Sequence, residues 1–250
     1  MPRPSLIIAV LLVVNFGRVG AQAPRTLVPV LAELFTSEGC NSCPPADRLL
    51  ELLLQEQPIE GVYVIALSEH VTYWDQQGWK DPFGSSQFTN RQQDYGRRFN
   101  LDSIYTPQLV IDGAREFVGS DKHAIEGALV SAAKTPKAAL NVAVSGSDGV
   151  LNVEASGPGL TGDKDAELWF VLAEDHLAVD VKRGENANRT LKHSGVVRIL
   201  QSAGGIDVTS RKLTFTLSPG WRRDNLRVVA FVQSKKDRRI ISVGVATASR

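Results

Sequence analysis

The sequence predicts a mixed α/β domain followed by an antiparallel β-sandwich. Three observations lead to this prediction. Up to about residue 135, apolar runs that suit buried strands alternate with segments whose apolar residues recur at helical spacing. Beyond residue 137, short stretches with strand-like alternation follow one another, separated by Gly, Asp, Ser and Pro. The 250 residues, 43% of them hydrophobic, are enough for two ordinary cores.

The α/β domain is predicted to begin with a strand, a helix and a second strand. "LVPVLAELFT" from Leu27 is apolar, rich in β-formers and as long as a buried strand. In "PADRLLELLLQEQ" the leucines recur at helical spacing, and Pro45 suits a first helical turn. "GVYVIALS" from Gly61 to Ser68 is a second buried strand. Strands joined by a helical crossover are expected to run parallel.

The second half of this domain adds a helix, a hairpin and a closing helix. "SSQFTNRQQDYGRRF" has Phe88, Gln92, Tyr95 and Phe99 on one helical face. "PQLVIDG" is a strand ending in an Asp-Gly turn signal, and "REFVGS" is its hairpin partner. "DKHAIEGALVSAA" follows as a helix. The order β-α-β-α-β-β-α predicts a mixed four-stranded sheet covered by helices.

The remainder of the chain is predicted to be all β. Eight short alternating stretches occur at the spacing typical of an antiparallel sandwich. They are "ALNVAVSG", "VLNVEASG", "AELWFVLAE", "LAVDVKRGE", "GVVRILQSAG", "KLTFTLSPG", "LRVVAFVQS" and "RIISVGVAT". The predicted division is a signal peptide at 1–21, the α/β domain at 22–136 and the β-sandwich at 137–250.

The amino terminus is typical of a secretory signal peptide. Arg3 precedes an apolar run from Leu6 to Val14, and small residues follow. The run is too short to cross a hydrocarbon core of roughly 30 Å as a helix, although an uncleaved anchor is the alternative. Cleavage after Ala21 is favoured, because cleavage after Ala23 would leave Pro24 at the new terminus. The expected location is secreted or periplasmic.

The balance of charge argues against two classes of partner. Lys and Arg total 28 and Asp and Glu total 27, which gives a net charge of +1. Nucleic acids and anionic membranes attract proteins through a clustered positive excess, which this chain lacks. We therefore expect no nucleic-acid partner and no membrane association after signal cleavage.

Cys40 and Cys43 are the two cysteines of the chain, and they form a CxxC pair between the first strand and the first helix. In an exported protein two thiols can form a disulfide. A bridge between residues three apart closes a very small loop and removes little entropy from the unfolded chain. Chemistry is therefore a better explanation of the pair than stabilisation.

A Thr-Pro dipeptide supports the chemical interpretation. Thr106 and Pro107 stand immediately before the third strand. In thioredoxin-like proteins a cis-proline occupies that point beside the disulfide, and a cis X-Pro bond is a minority state that needs a structural reason. The combination of CxxC after strand one and Thr-Pro before the hairpin is more specific than CxxC alone.

These motifs resemble a family of uncharacterised bacterial secreted proteins with a thioredoxin-like domain. The matching segments are "ELFTSEGC", "CPPAD", "HVTYWDQQGWKDPF", "YTPQLVIDG" and "GENANRTLKHSGVVRIL". The resemblance covers most of the mature chain and implies the fold and export. It does not imply an activity, which has to be argued from the residues.

The residues suggest distinct roles in a redox reaction. Cys40 lies farther from the helix, so we expect it to be the more exposed nucleophile, with Cys43 as the resolving thiol. Glu33 is the candidate proton acceptor, because it stands mid-strand among apolar residues. The alternative is that Glu33 is paired with a Lys or Arg.

Two further segments are candidates for the same region. The aromatic-rich connection after the second strand can reach the end of the sheet that carries the cysteines, and it offers a substrate groove made of His70, Tyr73, Trp74 and Trp79. The alternative is a packed surface loop. "GENANRTLKHSGVVRIL", with Glu185, Asn186, Arg189 and His193, either docks near this end or is a hairpin with capped polar groups.

Three functions remain open from sequence. The first is an exported thiol-disulfide oxidoreductase acting on protein thiols or disulfides, with a separate redox partner. The second is a copper-handling protein using both cysteines and a His such as His70. The third is a non-catalytic binding module whose disulfide only shapes a loop. No nucleotide, dinucleotide or metalloprotease motif occurs, so we predict no cofactor and no resident metal.

Overall fold

The structure is a computed structural model that describes residues 27–147, 149–162 and 164–249. The predicted signal peptide at 1–21 lies outside the described residues. Within these ranges no helix has both the length and the apolar character needed to cross a membrane.

The first half of the chain has the predicted order of elements, including the parallel pairing of the first two strands and the antiparallel hairpin. Its elements are β1 (Val28–Thr36), α1 (Pro44–Glu56), β2 (Val62–His70), α2 (Ser86–Phe99), β3 (Gln108–Ile111), β4 (Arg115–Val118) and α3 (Lys122–Ala132).

The second half is all β in regular structure apart from short 3₁₀ turns, and it contains one strand more than the sequence predicts. The additional strand is β9, which lies within the polar "GENANRTLKH" segment. The strands are β5 (Asn141–Ser145), β6 (Val150–Ser156), β7 (Ala166–Glu174), β8 (Leu177–Val181), β9 (Arg189–His193), β10 (Val196–Gly205), β11 (Ser210–Thr216), β12 (Leu226–Ser234) and β13 (Ile240–Thr247).

The two halves share one sheet. The predicted four-stranded sheet is the end of a mixed eight-stranded sheet with the order β13-β12-β7-β10-β2-β1-β3-β4. The join is a short parallel pairing of β2 with β10, at which Ser68 N donates to Gly195 O over 2.7 Å. A separate four-stranded sheet would leave β2 as an edge, although its residues from Val64 to His70 are buried. Pairing with β10 supplies part of the missing hydrogen bonding.

The other strands form two small antiparallel sheets, β11-β6-β5 and β8-β9. Side chains of the three-stranded sheet, such as Leu151, Val153 and Phe215, share a buried cluster with Phe170 of β7 and Val228 of β12. The second half is therefore built from two packed layers, whereas β8 and β9 extend as a separate hairpin.

The two faces of β1 pack against different helices. Val30, Ala32 and Leu34 belong to the cluster formed with α1 and α3. Leu31 and Phe35 point to the other face, where residues of α2 cover them. Because side chains alternate along a strand, Glu33 lies on this α2 face, opposite the helix that follows the cysteines.

The β3–β4 turn docks directly on the second half of the chain. Gly113 has φ +61°, and a Cβ atom there would lie 1.9 Å from Arg238 O. We predict that Gly113→Ala lowers the free energy of unfolding by about 2 kcal/mol or more, through backbone strain and overpacking. Chemical denaturation measures the change.

The matched control is Gly127→Ala in α3, where an added Cβ meets nothing within 4 Å. This variant should be more stable than the wild type by roughly 0.5–1 kcal/mol, because Ala favours a helix interior. Equal stability of both variants would contradict the described contact between the two halves.

Candidate functional site

Cys40 and Cys43 form a disulfide at the carboxyl end of β1, with their Cα atoms 5.4 Å apart. α1 begins immediately after the pair, and the Cys43 carbonyl accepts hydrogen bonds from Ala46 N and Asp47 N. Pro44 and Pro45 bring no N–H to this turn. The first-turn amide donors are thus either missing or already used, so the helix offers a sulfur mainly its dipole.

Both cysteines have 0% exposure, so the expectation of an exposed Cys40 is wrong. A segment that lies 146 residues later in the chain binds the backbone at Cys40. Asn186 Nδ2 donates to Glu38 O over 2.8 Å and to Cys40 O over 2.9 Å. Glu185 Oε2 accepts from Asn41 N over 3.2 Å.

We call residues 182–188, the connection between β8 and β9, the cover loop. Asn186 is itself fully buried, whereas Asn41 and Ser42 between the cysteines are exposed. The "GENANR" segment is therefore both a hairpin and a docking element. The two sequence alternatives for this segment are compatible with each other.

The Thr106–Pro107 peptide bond is cis, as expected. Trp74 connects this bond to the cysteine loop, residues 37–43 between β1 and α1. The indole Nε1 donates to Thr106 Oγ1 over 2.8 Å, and a Cβ added at Gly39 would lie 2.9 Å from Trp74 Cβ. A Cβ added at Gly119 would similarly lie 3.1 Å from both Pro107 and Ala46 of α1. The cis-proline and the first turn of α1 are thus neighbours.

Tyr73 lies beside Trp74, with their ring centroids 6.4 Å apart. Its hydroxyl donates to Gln92 Oε1 over 3.2 Å, and its side chain is partly exposed. Gln92 in turn donates to Tyr105 O and to Gln108 Oε1. Tyr73 therefore helps to hold the segment before the cis-proline, and of the predicted groove residues it is the most exposed.

Glu38, two residues before Cys40, is the centre of a buried polar cluster that sequence reasoning missed. Its carboxylate accepts from Trp79 Nε1 over 2.7 Å and lies 3.2 Å from His193 Nε2. Its backbone N–H donates to Asp81 Oδ2. Trp79 is thus a structural partner of the loop that carries the cysteines, and His193 connects the β8–β9 hairpin to the same carboxylate.

His70 and Asp81 form the second part of this cluster. His70 Nδ1 and Asp81 Oδ2 are 2.7 Å apart, and both side chains are buried. Burial opposes charge on Asp81, but the His70 imidazolium and hydrogen bonds from His70, Glu38 and Phe83 lower the Asp81 pKa to about 2. Burial lowers the pKa of His70, but the Asp81 carboxylate outweighs it, so the net shift is upward. Both shifts favour the ionised form of the pair.

The rings of the two histidines in the cluster are packed edge to face. The rings of His70 and His193 are 4.9 Å apart between centroids. His70 Nε2 and His193 Nδ1 have no hydrogen-bond partner among the described residues. Within the residue ranges that the structure describes, no group of three or more His, Cys, Asp or Glu side chains is placed to hold a metal ion.

Asp47 is the buried acid on the helix that follows the cysteines. It lies one turn after Cys43, and its Oδ1 accepts from Thr36 Oγ1 over 2.9 Å. Burial raises the pKa of the Asp47 carboxyl, although His193 and His70 act in the opposite direction. It lines a cavity of about 320 Å³ between α1 and β9. Burial therefore favours the protonated form of a carboxyl that stands four residues after Cys43.

Glu33 does not reach the disulfide, because it lies on the α2 face of the sheet. It accepts from Arg91 Nε over 2.7 Å and from the Tyr95 hydroxyl over 2.6 Å. Arg91 Nη1 also donates to Gln233 Oε1 of β12. Pairing with an arginine is the alternative that the sequence left open. Burial, with Glu33 next to it, raises the pKa of the Glu69 carboxyl well above its ordinary value.

The residues missed from sequence stand inside segments that had already been singled out. Glu38 belongs to "TSEGC", Asp47 to "CPPAD" and Asp81 to "KDPF". All three are carboxylates within two residues of a Cys or Pro, and this proximity is the signal that could have identified them.

Comparisons with known proteins give a family match that covers most of the chain. A family model described as "Protein of unknown function (DUF1223)" matches residues 31–233, a span that includes both the disulfide and the cover loop. None of the curated proteins matches the chain.

Two solved structures are similar in fold. Protein AGR_C_4864 from Agrobacterium tumefaciens has a TM-score of 0.70 and 23% identity, covering 90% of this chain and 96% of that one. HBP35 of Porphyromonas gingivalis has a TM-score of 0.58 and 15% identity, covering 89% and 76%. At these identities the likeness concerns the fold alone.

The His70–Asp81 pair leads to a prediction about pH. The depressed Asp81 pKa contributes stability that is present above about 4 and is lost as the pH falls through about 2. The raised His70 pKa contributes stability that is complete below about 6.5 and is lost as the pH rises through the folded value. Asp81→Asn should cost about 3 kcal/mol near pH 6, because it leaves a buried His without its counter-ion.

Urea denaturation between pH 5 and pH 8 measures this effect. The difference between the wild type and Asp81→Asn should grow as the pH falls, since the variant has to bury a neutral His70 that is protonated when unfolded. Asp102→Asn, at an exposed position, is the control and should follow the wild type. A difference that does not change with pH would contradict the ionised pair.

Proposed function

We propose that this chain, which belongs to the DUF1223 family of proteins of unknown function, is an exported thiol-disulfide oxidoreductase. The observation that carries the proposal is the Cys40–Cys43 disulfide at the start of α1, joined through Trp74 to a cis Thr106–Pro107 bond. A small-loop disulfide adds little stability, so its position among these elements favours chemistry.

The proposal includes the finer description of the fold. A thioredoxin-like unit is supported by the β-α-β-α-β-β-α order, the parallel β1–β2 pair and the cis-proline before β3. A β-sandwich is supported by the packing of the three-stranded sheet on β7 and β12. Export to the periplasm or outside the cell is supported by the signal-like residues 1–21 and by the disulfide itself.

The reaction transfers two electrons from a substrate dithiol to the Cys40–Cys43 disulfide. A thiolate of a substrate protein attacks Cys40 Sγ, and the Cys40–Cys43 bond breaks with Cys43 as the leaving thiolate. A second substrate thiolate then attacks the mixed disulfide and releases Cys40. The substrate leaves with a new disulfide, and the two cysteines keep the two electrons and take up two protons. A separate redox partner reverses these steps to restore the disulfide.

Asp47 is better suited than Glu33 to serve the protons of this reaction. It is buried on α1 one turn after Cys43, and its pKa is raised by burial. A protonated Asp47 can give its proton to the leaving thiolate and recover it later. Glu33 is engaged by Arg91 on the opposite face of the sheet.

Access to the sulfurs requires the cover loop to move. Attack on either sulfur needs an open path along the disulfide axis, and both cysteines are fully buried. The nearest contacts of the loop with the cysteine segment are three hydrogen bonds made by Asn186 and Glu185. Such bonds contribute about 1 kcal/mol each. Breaking all three therefore costs less free energy than unfolding a protein of ordinary stability.

A second function has a specific observation in its favour. The burial of Cys40 suits a non-catalytic exported binding module, in which the disulfide only fixes the loop on which the cover loop docks. For the copper-handling alternative, the described residues offer the imidazoles of His70 and His193 with one unpartnered nitrogen each, but no group of three ligands.

The first prediction concerns activity. The wild-type protein should reduce insulin disulfides with dithiothreitol, or oxidise a dithiol peptide, and Cys40→Ser should lose this activity at least a hundredfold. Asn41→Ala, at the exposed position next to Cys40, is the control and should keep most of it; Ser42 is not used, because its Oγ lies 3.3 Å from Cys40 Sγ. A wild-type protein that is inert towards every dithiol, even with the cover loop released, would leave the binding module as the function.

The second prediction concerns the cover loop. Asn186→Ala removes both hydrogen bonds to the carbonyls of Glu38 and Cys40, so the disulfide should react with a small phosphine or thiol at least tenfold faster. Stopped-flow reduction followed by thiol labelling measures this rate. Arg183→Ala, an exposed change in the same loop, should leave the rate unchanged. Equal rates in wild type and Asn186→Ala would show that the loop does not limit access.

A further inference from the structure

A second candidate site lies at the opposite end of the sheet from the disulfide. It is a groove of about 500 Å³, bordered by α3, the β3–β4 turn and the start of β13. β3 runs antiparallel to β1, and Ile111 in the groove pairs with Ala32, whereas Gln108 pairs with Phe35 near the cysteines. The groove is therefore independent of the redox proposal, and its volume lies in the usual range for small ligands, about 300–1,000 Å³.

The inner wall of the groove is apolar and made of small or aliphatic side chains. Ile111 and Ile240 are buried on the sheet side, and Ala128 and Ala132 line the helix side. Larger residues at these helix positions would fill the space. The wall can thus take a hydrocarbon body and gain by removing it from water.

The charged residues beside this wall are already neutralised. Lys137 Nζ lies 2.6 Å from Asp112 Oδ2 and also donates to Pro29 O. Asp112 Oδ1 accepts from Leu31 N. Burial raises the pKa of the Asp112 carboxyl, and Lys137 opposes this shift. Because both partners are satisfied, this ion pair does not require a charged ligand.

The border of the groove carries a positive charge that is not neutralised in this way. Arg115 is exposed, and its guanidinium lies over the Phe117 ring at 5.1 Å. Among the residues that the structure describes, no carboxylate forms an ion pair with it. The other guanidinium of the border, Arg239, is paired with Asp237 at 3.3 Å. The groove therefore combines an apolar wall with one free cation at its edge.

We propose that this groove binds an amphiphilic monoanion, a medium-chain aliphatic carboxylate, with the chain on Ile111, Ala128, Ala132 and Ile240 and the carboxylate on Arg115. A guanidinium accepts a carboxylate in a bidentate arrangement, which selects a planar anion over a neutral or cationic head. The apolar wall selects a chain over a small anion such as acetate.

Isothermal titration calorimetry of the full chain tests the proposal, with decanoate kept well below its micelle-forming concentration. Decanoate should bind at one site, at least tenfold more tightly than decyltrimethylammonium and acetate. Arg115→Glu should weaken the binding at least tenfold. Ser131→Trp, which adds a large side chain at an exposed position of the groove wall, should abolish it.

Matched variants distinguish a specific binding site from nonspecific binding to the surface. Arg97→Glu reverses an exposed arginine on α2 and should not change the affinity for decanoate. Val130→Trp changes the neighbour of Ser131, which does not line the groove, and should also bind normally. Circular dichroism checks that each variant is folded. Equal affinity for decanoate and its cationic analogue, no saturable binding, or unchanged binding by Arg115→Glu would overturn the proposal.

Discussion

The short parallel pairing of β2 with β10 determines how the two halves of the chain meet. Gly195 sits at this join with φ +70°, and a Cβ atom there would lie 2.7 Å from Ala66 O. Its carbonyl accepts from Ser68 N, and its N–H donates to Asp175 Oδ1, which in turn is paired with Arg227. This arrangement needs glycine, because an L-side chain fits neither the backbone angle nor the space. With β10 held there, β9 and the cover loop are brought over the end of β1 that carries the cysteines.

The burial of ionisable groups follows from the same arrangement. A sheet covered on both faces has no water to solvate a carboxylate, so each buried acid needs partners within the protein. Around the disulfide these partners come from both halves, with Glu38 contacted by Trp79 from one and His193 from the other. On the opposite face Arg91 joins Glu33 to Gln233 of the second half. The polar clusters thus join the two halves, in addition to the apolar cluster that both halves share.

Much of the local structure could be predicted from the sequence. The periodicity of apolar residues is sufficient to predict β1, α1 and β2. CxxC and Thr-Pro identify the end of the sheet where the disulfide and the cis-proline lie. The environment of Glu33 could not be predicted, because β1 is apolar on both sides and its alternation does not reveal which helix covers which face. β9 was missed because its exposed positions are polar and its few buried side chains do not form an apolar run. The burial of Cys40 depends on a contact across 146 residues, which no local pattern encodes.

Because Asn186 lies 146 residues after Cys40, the cysteines and the loop that covers them are synthesised at different times. The chain is synthesised from its amino end, so both thiols emerge long before the asparagine that later closes over them exists. During this interval the nascent cysteines are uncovered. The bridge can therefore form during synthesis without any displacement of the hairpin, whereas a reagent that reaches the sulfurs later meets a finished structure.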